Sequence, residues 1–147
     1  YWPYTNPMPL LRGLREALTM MHEEGLDNIY ARHLFLAQAV QKASVAWGLN
    51  LCAKDSSLYS NTVTAIMVPE GIDSTDIVKT AYNKYNTSFG GGLNKVAGKL
   101  FRIGHLGDLN STMILGAIST AELAMYDVGI KFELGSGVAA AIKHLKV

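Results

Sequence analysis

The chain has 147 residues, of which 49% are hydrophobic and only 17% charged, with a net charge of +1 at neutral pH. Against a usual charged share of about 25%, it is short of solvated surface, which implies either one well-buried domain or apolar faces that meet another domain or subunit. Scattered basic residues exclude a phosphate-neutralising nucleic-acid surface, no apolar run reaches the roughly 18 residues of a membrane span, and the single Cys52 excludes an internal disulfide.

The start, Tyr1-Trp2-Pro3-Tyr4-Thr5-Asn6-Pro7, sets three aromatics within four residues without an initiator Met, the pattern of a segment internal to a longer chain. It shows no basic stretch followed by an apolar one, so the expectation is a soluble, cytoplasmic protein without an export signal. Pro7 and Pro9 introduce a helical pattern over 8–24, with Leu11, Leu14, Ala17, Leu18 and Met21 on one face and Gly25 as its stop. Asp27 offers an N-cap to a second helix that runs to about Trp47 and ends at Gly48, with Ile29, Leu36, Val40 and Ala43 at spacings of seven, four and three. The two helices are expected to form one antiparallel or sharply bent pair.

Past Ser56-Ser57 the period changes. The β-branched run 62–68, bounded by Asn61 and Pro69, predicts a strand. Asp73-Ser74-Thr75-Asp76 resembles a capping box with Asp in place of Glu, and opens a third helix to about Asn86. Gly90-Gly91-Gly92 then predicts a flexible, hairpin-like turn or a ligand-facing loop before a second strand over 99–103. Asp108 is expected to cap a fourth helix over 109–127, and Gly135-Ser136-Gly137 to introduce a last one over 138–145. The fold class that follows is α+β: a small, mostly antiparallel sheet covered on one face by helices.

The stretch Phe101-Arg102-Ile103-Gly104-His105-Leu106-Gly107-Asp108-Leu109-Asn110 is the most informative. It ends an apolar run with an arginine and sets two glycines just beyond. An arginine so held is a ready receptor for a carboxylate, because its planar fork makes two parallel charge-assisted hydrogen bonds. The alternative is a surface strand residue paired with a neighbouring acid. His105, in the same loop, reads as an acid–base group or, better, as a hydrogen-bonded loop histidine. The four histidines show no metal-ligand spacing. Gly98-Lys99 is not a phosphate loop, since Leu93 stands where the leading glycine is needed and Leu100 where a Ser or Thr is needed.

Longer motifs in order carry a resemblance. Tyr-Trp-Pro-Tyr-Thr at 1–5, Leu-Arg-Gly-Leu-Arg-Glu-Ala-Leu at 11–18, Glu-Glu-Gly-Leu-Asp-Asn at 23–28 and Ala-Arg-His at 31–33 open the series. Val-Pro-Glu-Gly-Ile-Asp at 68–73, Asn-Lys-Val-Ala-Gly-Lys at 94–99, the Arg102 stretch and Gly-Ser-Gly-Val-Ala-Ala-Ala at 135–141 complete it. Over essentially the whole chain these resemble the C-terminal portion of class V, fold type I aminotransferases, nearest the serine–glyoxylate and alanine–glyoxylate group.

The resemblance implies a pyridoxal-phosphate enzyme that moves an amino group from serine or alanine to glyoxylate or a related 2-oxo acid. In that family the large domain lies mostly upstream and carries the lysine that forms the Schiff base, and none of the nine lysines here stands in that motif. The chain alone is therefore expected to be inactive and to bind no cofactor covalently. By position, Arg102 matches the arginine that grips the substrate carboxylate, and Thr5 the threonine that reaches the cofactor phosphate of the neighbouring subunit in a homodimer. Trp2 stands where some members carry a contacting tyrosine and offers no hydroxyl, which leaves Tyr4 as its substitute. Residues 1–26 are then a segment and connecting helix from the large domain and dimer interface, and 27–147 the C-terminal small domain. Neither a nucleic acid nor a membrane is implied as partner, and the ending His144-Leu145-Lys146-Val147 is not a peroxisomal signal. The alternative from another class is a free-standing, non-catalytic domain that binds carboxylates or docks on another protein.

Overall fold

A computed structural model describes residues 3–146, so the expectations placed on Tyr1 and Trp2 lie outside the described residues. Five α-helices and three strands divide into two compact units whose boundary falls between Arg32 and His33.

The first unit holds the segment leading to α1 (Met8–Glu24), α1 itself and the opening of α2 (Leu26–Ala46). The expected bounds of α1 hold, because Pro7 precedes a first turn that needs no N–H there and Gly25 takes a φ of 83° that a side chain resists. No residue of α1 is buried, and its apolar stripe, with Leu14 and Leu18 each 55% accessible, stands open. Asp27 is not a cap but lies inside the first turn of α2, where its charge suits the helix dipole.

In the second unit β1 (Val63–Met67), β2 (Gly90–Gly91) and β3 (Leu100–Gly104) form an antiparallel sheet in the order β1-β3-β2. The register sets Ile66 opposite Phe101 and Thr64 opposite Ile103, so these four share one face, and all are buried. That face meets α3 (Ser74–Tyr85), α4 (Ser111–Asp127) and the buried stripe Leu36, Val40, Ala43 of α2, which is the α+β arrangement expected. α5 (Ser136–Leu145) packs on α4 and contributes the fully buried Ala141.

Two further expectations need correction. The glycine run is not a free turn, since Gly90 and Gly91 pair with Arg102 and Phe101 as an edge strand. The fourth helix begins at Ser111 and is capped by Asn110, whose side chain accepts from Met113 N at 3.0 Å. Asp108 is exposed in the loop before it. Both residues are good cap formers, and the extended backbone of Asn110 (φ −125°, ψ 174°) decides between them.

Candidate functional site

Arg102 is the middle residue of the middle strand, so antiparallel pairing fixes its backbone on both sides. Opposite it stand Ala65 on β1 and Gly90 on β2. Opposed residues share a face, which puts the arginine on the side of the sheet away from Phe101, in a trough walled by one methyl group and by a residue with no side chain. Its Nε donates to the carbonyl oxygen of Gly91 at 3.0 Å. A Cβ at position 90 would stand 3.1 Å from that Nε and 3.3 Å from Nη2, so the half-buried side chain lies along the edge strand over Gly90. Gly92 closes the turn behind, because a Cβ there would overlap the carbonyl oxygen of Val96.

An arginine paired with a neighbouring acid is not what the structure has. Among the described residues Arg102 takes part in neither the Arg32–Glu24 nor the Lys84–Asp127 ion pair, and its only hydrogen bond is the one to Gly91. Of five guanidinium N–H donors one is engaged, which leaves the four on Nη1 and Nη2 for an anion with two coplanar oxygens.

Beyond β3 the chain is anchored by two histidines. His105 is fully buried; its Nδ1–H donates to the Asn61 carbonyl (3.1 Å) and its Nε2 accepts from Thr64 Oγ1 (2.8 Å), roles that follow because a carbonyl only accepts. His33 accepts from Gly107 N at 3.0 Å and so ties α2 to the loop. Burial pushes the His105 pKa below its ordinary 6.5, and the nearby His33 acts in the same direction. His105 is thus the hydrogen-bonded loop histidine, held neutral, rather than an acid–base group. Such a histidine binds a proton more readily in the unfolded chain. Its contribution to stability is full above pH 6.5 and is lost as the pH falls through the lowered folded value. Urea unfolding near neutrality and at about pH 5 should show this loss, and His105→Gln should remove part of it; the same pH dependence in both proteins would exclude the account.

Tyr4 and Thr5 belong to the first unit, on the irregular segment before α1, and both are exposed, Tyr4 to 87%. Neither hydroxyl has a hydrogen-bond partner among the described residues. Gln41, Leu51, Cys52, Tyr59 and Val63 line a hollow of about 300 Å³ that also touches Ala65 but not Arg102. No cluster of metal-ligating side chains occurs among the described residues, and no described helix is long and apolar enough to cross a membrane.

Glu122 was not singled out by sequence reasoning. It is buried on α4 and takes hydrogen bonds from Trp47 Nε1 (2.9 Å) and from the backbone N–H groups of Gly135, Gly137 and Val138 at the start of α5. The signal was present: one acid among Ala121, Ala124 and Met125 must have partners if that face of the helix is buried.

No protein-family model matches the chain. Curated relatives do. The chain is 56% identical over 146 residues to serine–glyoxylate aminotransferase of Methylorubrum extorquens, covering 99% of this chain and 36% of that protein. It is 59% identical over 144 residues to the enzyme of the same name from Hyphomicrobium methylovorum, covering 98% and 36%. Its fold superposes on pyridoxamine–pyruvate aminotransferase of Mesorhizobium loti with a TM-score of 0.93 at 31% identity, over 99% of this chain and 38% of that one. The chain's curated relatives and structural neighbours are class V aminotransferases. The chain corresponds to a C-terminal portion of the serine–glyoxylate and alanine–glyoxylate group, and spans just over a third (36%) of the curated relatives it matches. This family works with pyridoxal phosphate, and the aminotransferases it matches carry names that pair an amino donor with an oxo acid.

Proposed function

We propose that this chain is the substrate-gripping, C-terminal portion of an aminotransferase that moves an amino group from serine or alanine to glyoxylate or a related 2-oxo acid. The observation that carries the reading is Arg102, a guanidinium seated on a rigid central strand with four donors unspent and no acid beside it. It would take the carboxylate of the amino acid and that of the oxo acid in turn, which aligns each at the same place. Pyridoxal phosphate, when bound, supplies the electron sink for chemistry at the carbon that bears the amino group.

Thr5 and Tyr4 are the residues proposed to reach toward the cofactor, at its phosphate, on a neighbouring copy in a homodimer. Their exposed, unengaged hydroxyls fit one edge of a phosphate, being neutral donors able to turn toward its oxygens. The lysine that would hold the cofactor is proposed to lie in the large domain. Residues 1–26 are proposed to belong with that domain and the dimer interface, residues 27–147 to form the small domain, and the working place to be the cytoplasm. The open stripe of α1 supports this division, since an apolar helix face is ordinarily covered.

The test is an assay of the full-length protein that contains this chain, supplied with pyridoxal phosphate, glyoxylate and either serine or alanine. Glyoxylate-dependent consumption of the donor is expected, and none from the 147-residue chain alone. A full-length protein that transfers no amino group from either donor would end the reading.

A further inference from the structure

The glycine run before β3 does more than turn the chain. We propose that Gly90 and Gly91 are positioning residues that aim Arg102, so that a carboxylate is taken end-on by Nη1 and Nη2 and not side-on by Nε and Nη2. This rests on the reading of Arg102 as the carboxylate receptor.

A guanidinium has two edges that can grip a carboxylate with paired N–H groups: the side-on edge of Nε and Nη2, and the end-on edge of Nη1 and Nη2. In this structure the side-on edge faces β2. The Gly91 carbonyl oxygen accepts from Nε at 3.0 Å, and the Cβ missing from residue 90 would stand 3.1 Å from Nε and 3.3 Å from Nη2. The slot is therefore filled by the arginine itself, and no carboxylate can enter on that side. Ala65, opposite on β1, keeps the other wall low. Two of the three glycines have steric reasons: Gly90 leaves room for the side chain and Gly92 permits the close pass of Val96, whereas Gly91 acts through its backbone carbonyl and a Cβ there would meet nothing within 4 Å. Only Gly90 and Gly91 bear on Arg102.

The arrangement also removes a freedom that Arg102 would otherwise have to lose on binding. A long side chain held at Nε has fewer rotamers to surrender, so more of the charge-assisted contact is available to the substrate.

The experiment uses the full-length enzyme with Gly90→Ala, Gly90→Val and Arg102→Lys. A methyl at position 90 would stand 3.1 Å from Nε and 3.3 Å from Nη2 and Cβ of Arg102, all side-chain atoms, so Gly90→Ala should fold with an unfolding midpoint close to wild type, and it carries the test if the valine variant fails to fold. The expected result is a KM raised for both amino donor and oxo acceptor, roughly fivefold for Ala and twentyfold or more for Val, with kcat changed much less. A merely structural role would not alter discrimination between a substrate carboxylate and its amide. In the variants that preference should shrink, with carboxylate binding weakened and amide binding unchanged. If Arg102→Lys impairs both half-reactions while both Gly90 variants keep wild-type KM and wild-type discrimination, the positioning role is overturned and the carboxylate reading stands. If Arg102→Lys leaves both substrates untouched, the reading beneath it falls instead.

Discussion

Arg102→Ala in the full-length enzyme is expected to lower kcat/KM by roughly 100- to 1000-fold, about 3–4 kcal/mol, for the amino donor and for the oxo acid alike. The size follows from what is lost, a paired charge-assisted contact that both substrates make and that fixes the reacting carbon relative to the rest of the site. The symmetry follows from the single guanidinium: Arg102 is the one arginine of the second unit, so both carboxylates would use the same donors there. Stability should barely change, because Arg102 has only one protein hydrogen bond to lose and lies outside the buried core. Steady-state kinetics with each substrate varied separately decide the matter. A loss confined to one half-reaction would mean that the other carboxylate is held elsewhere, and no loss in either would remove Arg102 from the site.

The second large effect concerns stability and lies far from Arg102 in sequence. Glu122→Ala should destabilise the protein by about 3–4 kcal/mol, since it leaves two buried and two part-buried donors without their acceptor. α5 has no cap of its own, because Gly135 at its N-cap has no side chain to offer. The carboxylate of Glu122 takes that place from another helix, with one oxygen accepting from Trp47 Nε1, Gly137 N and Val138 N and the other from Gly135 N at 2.7 Å. A negative charge there also meets the positive end of the helix dipole. Glu122→Gln keeps the shape and one carbonyl oxygen but turns an NH2 toward N–H donors, so an intermediate loss of about 1–2 kcal/mol is expected. Urea unfolding should give the order wild type, Gln, Ala. An alanine variant within about 0.5 kcal/mol of wild type would show that water replaces the carboxylate without cost. Position 137 must be glycine for the same packing reason, since a Cβ there would overlap the Trp47 indole.

Several elements were legible residue by residue. The bounds of α1 follow from Pro7 and Gly25, and α3 begins after Asp73, whose side chain accepts from Thr75 N at 2.8 Å. The strand at 63–67 is set by its β-branched run and by Pro69. These are local effects, in which each residue restricts its own or an adjacent dihedral or satisfies an N–H two or three positions away. Arg102 was equally visible as a candidate, because an arginine on an apolar strand beside glycines is unusual in any context.

What the sequence determined by itself, then, was the set of helices, two of the three strands, the α+β class and the resemblance to the aminotransferases, and it offered Arg102 as a candidate to hold a carboxylate. Tertiary structure alone decided that Gly90 and Gly91 are a strand. Glycine has no side chain to favour extended backbone, and only pairing with β3 ten residues later holds it there. It decided that Arg102 has no acid beside it and which edge of its guanidinium is open, because Ala65 and Gly91 reach it only through the sheet register. It decided also that Glu122 caps α5 from 13 to 16 residues away and meets Trp47 across 75. Periodicity shows which face of a helix is buried, but only the packed chain brings a buried acid to the donors that make its burial tolerable.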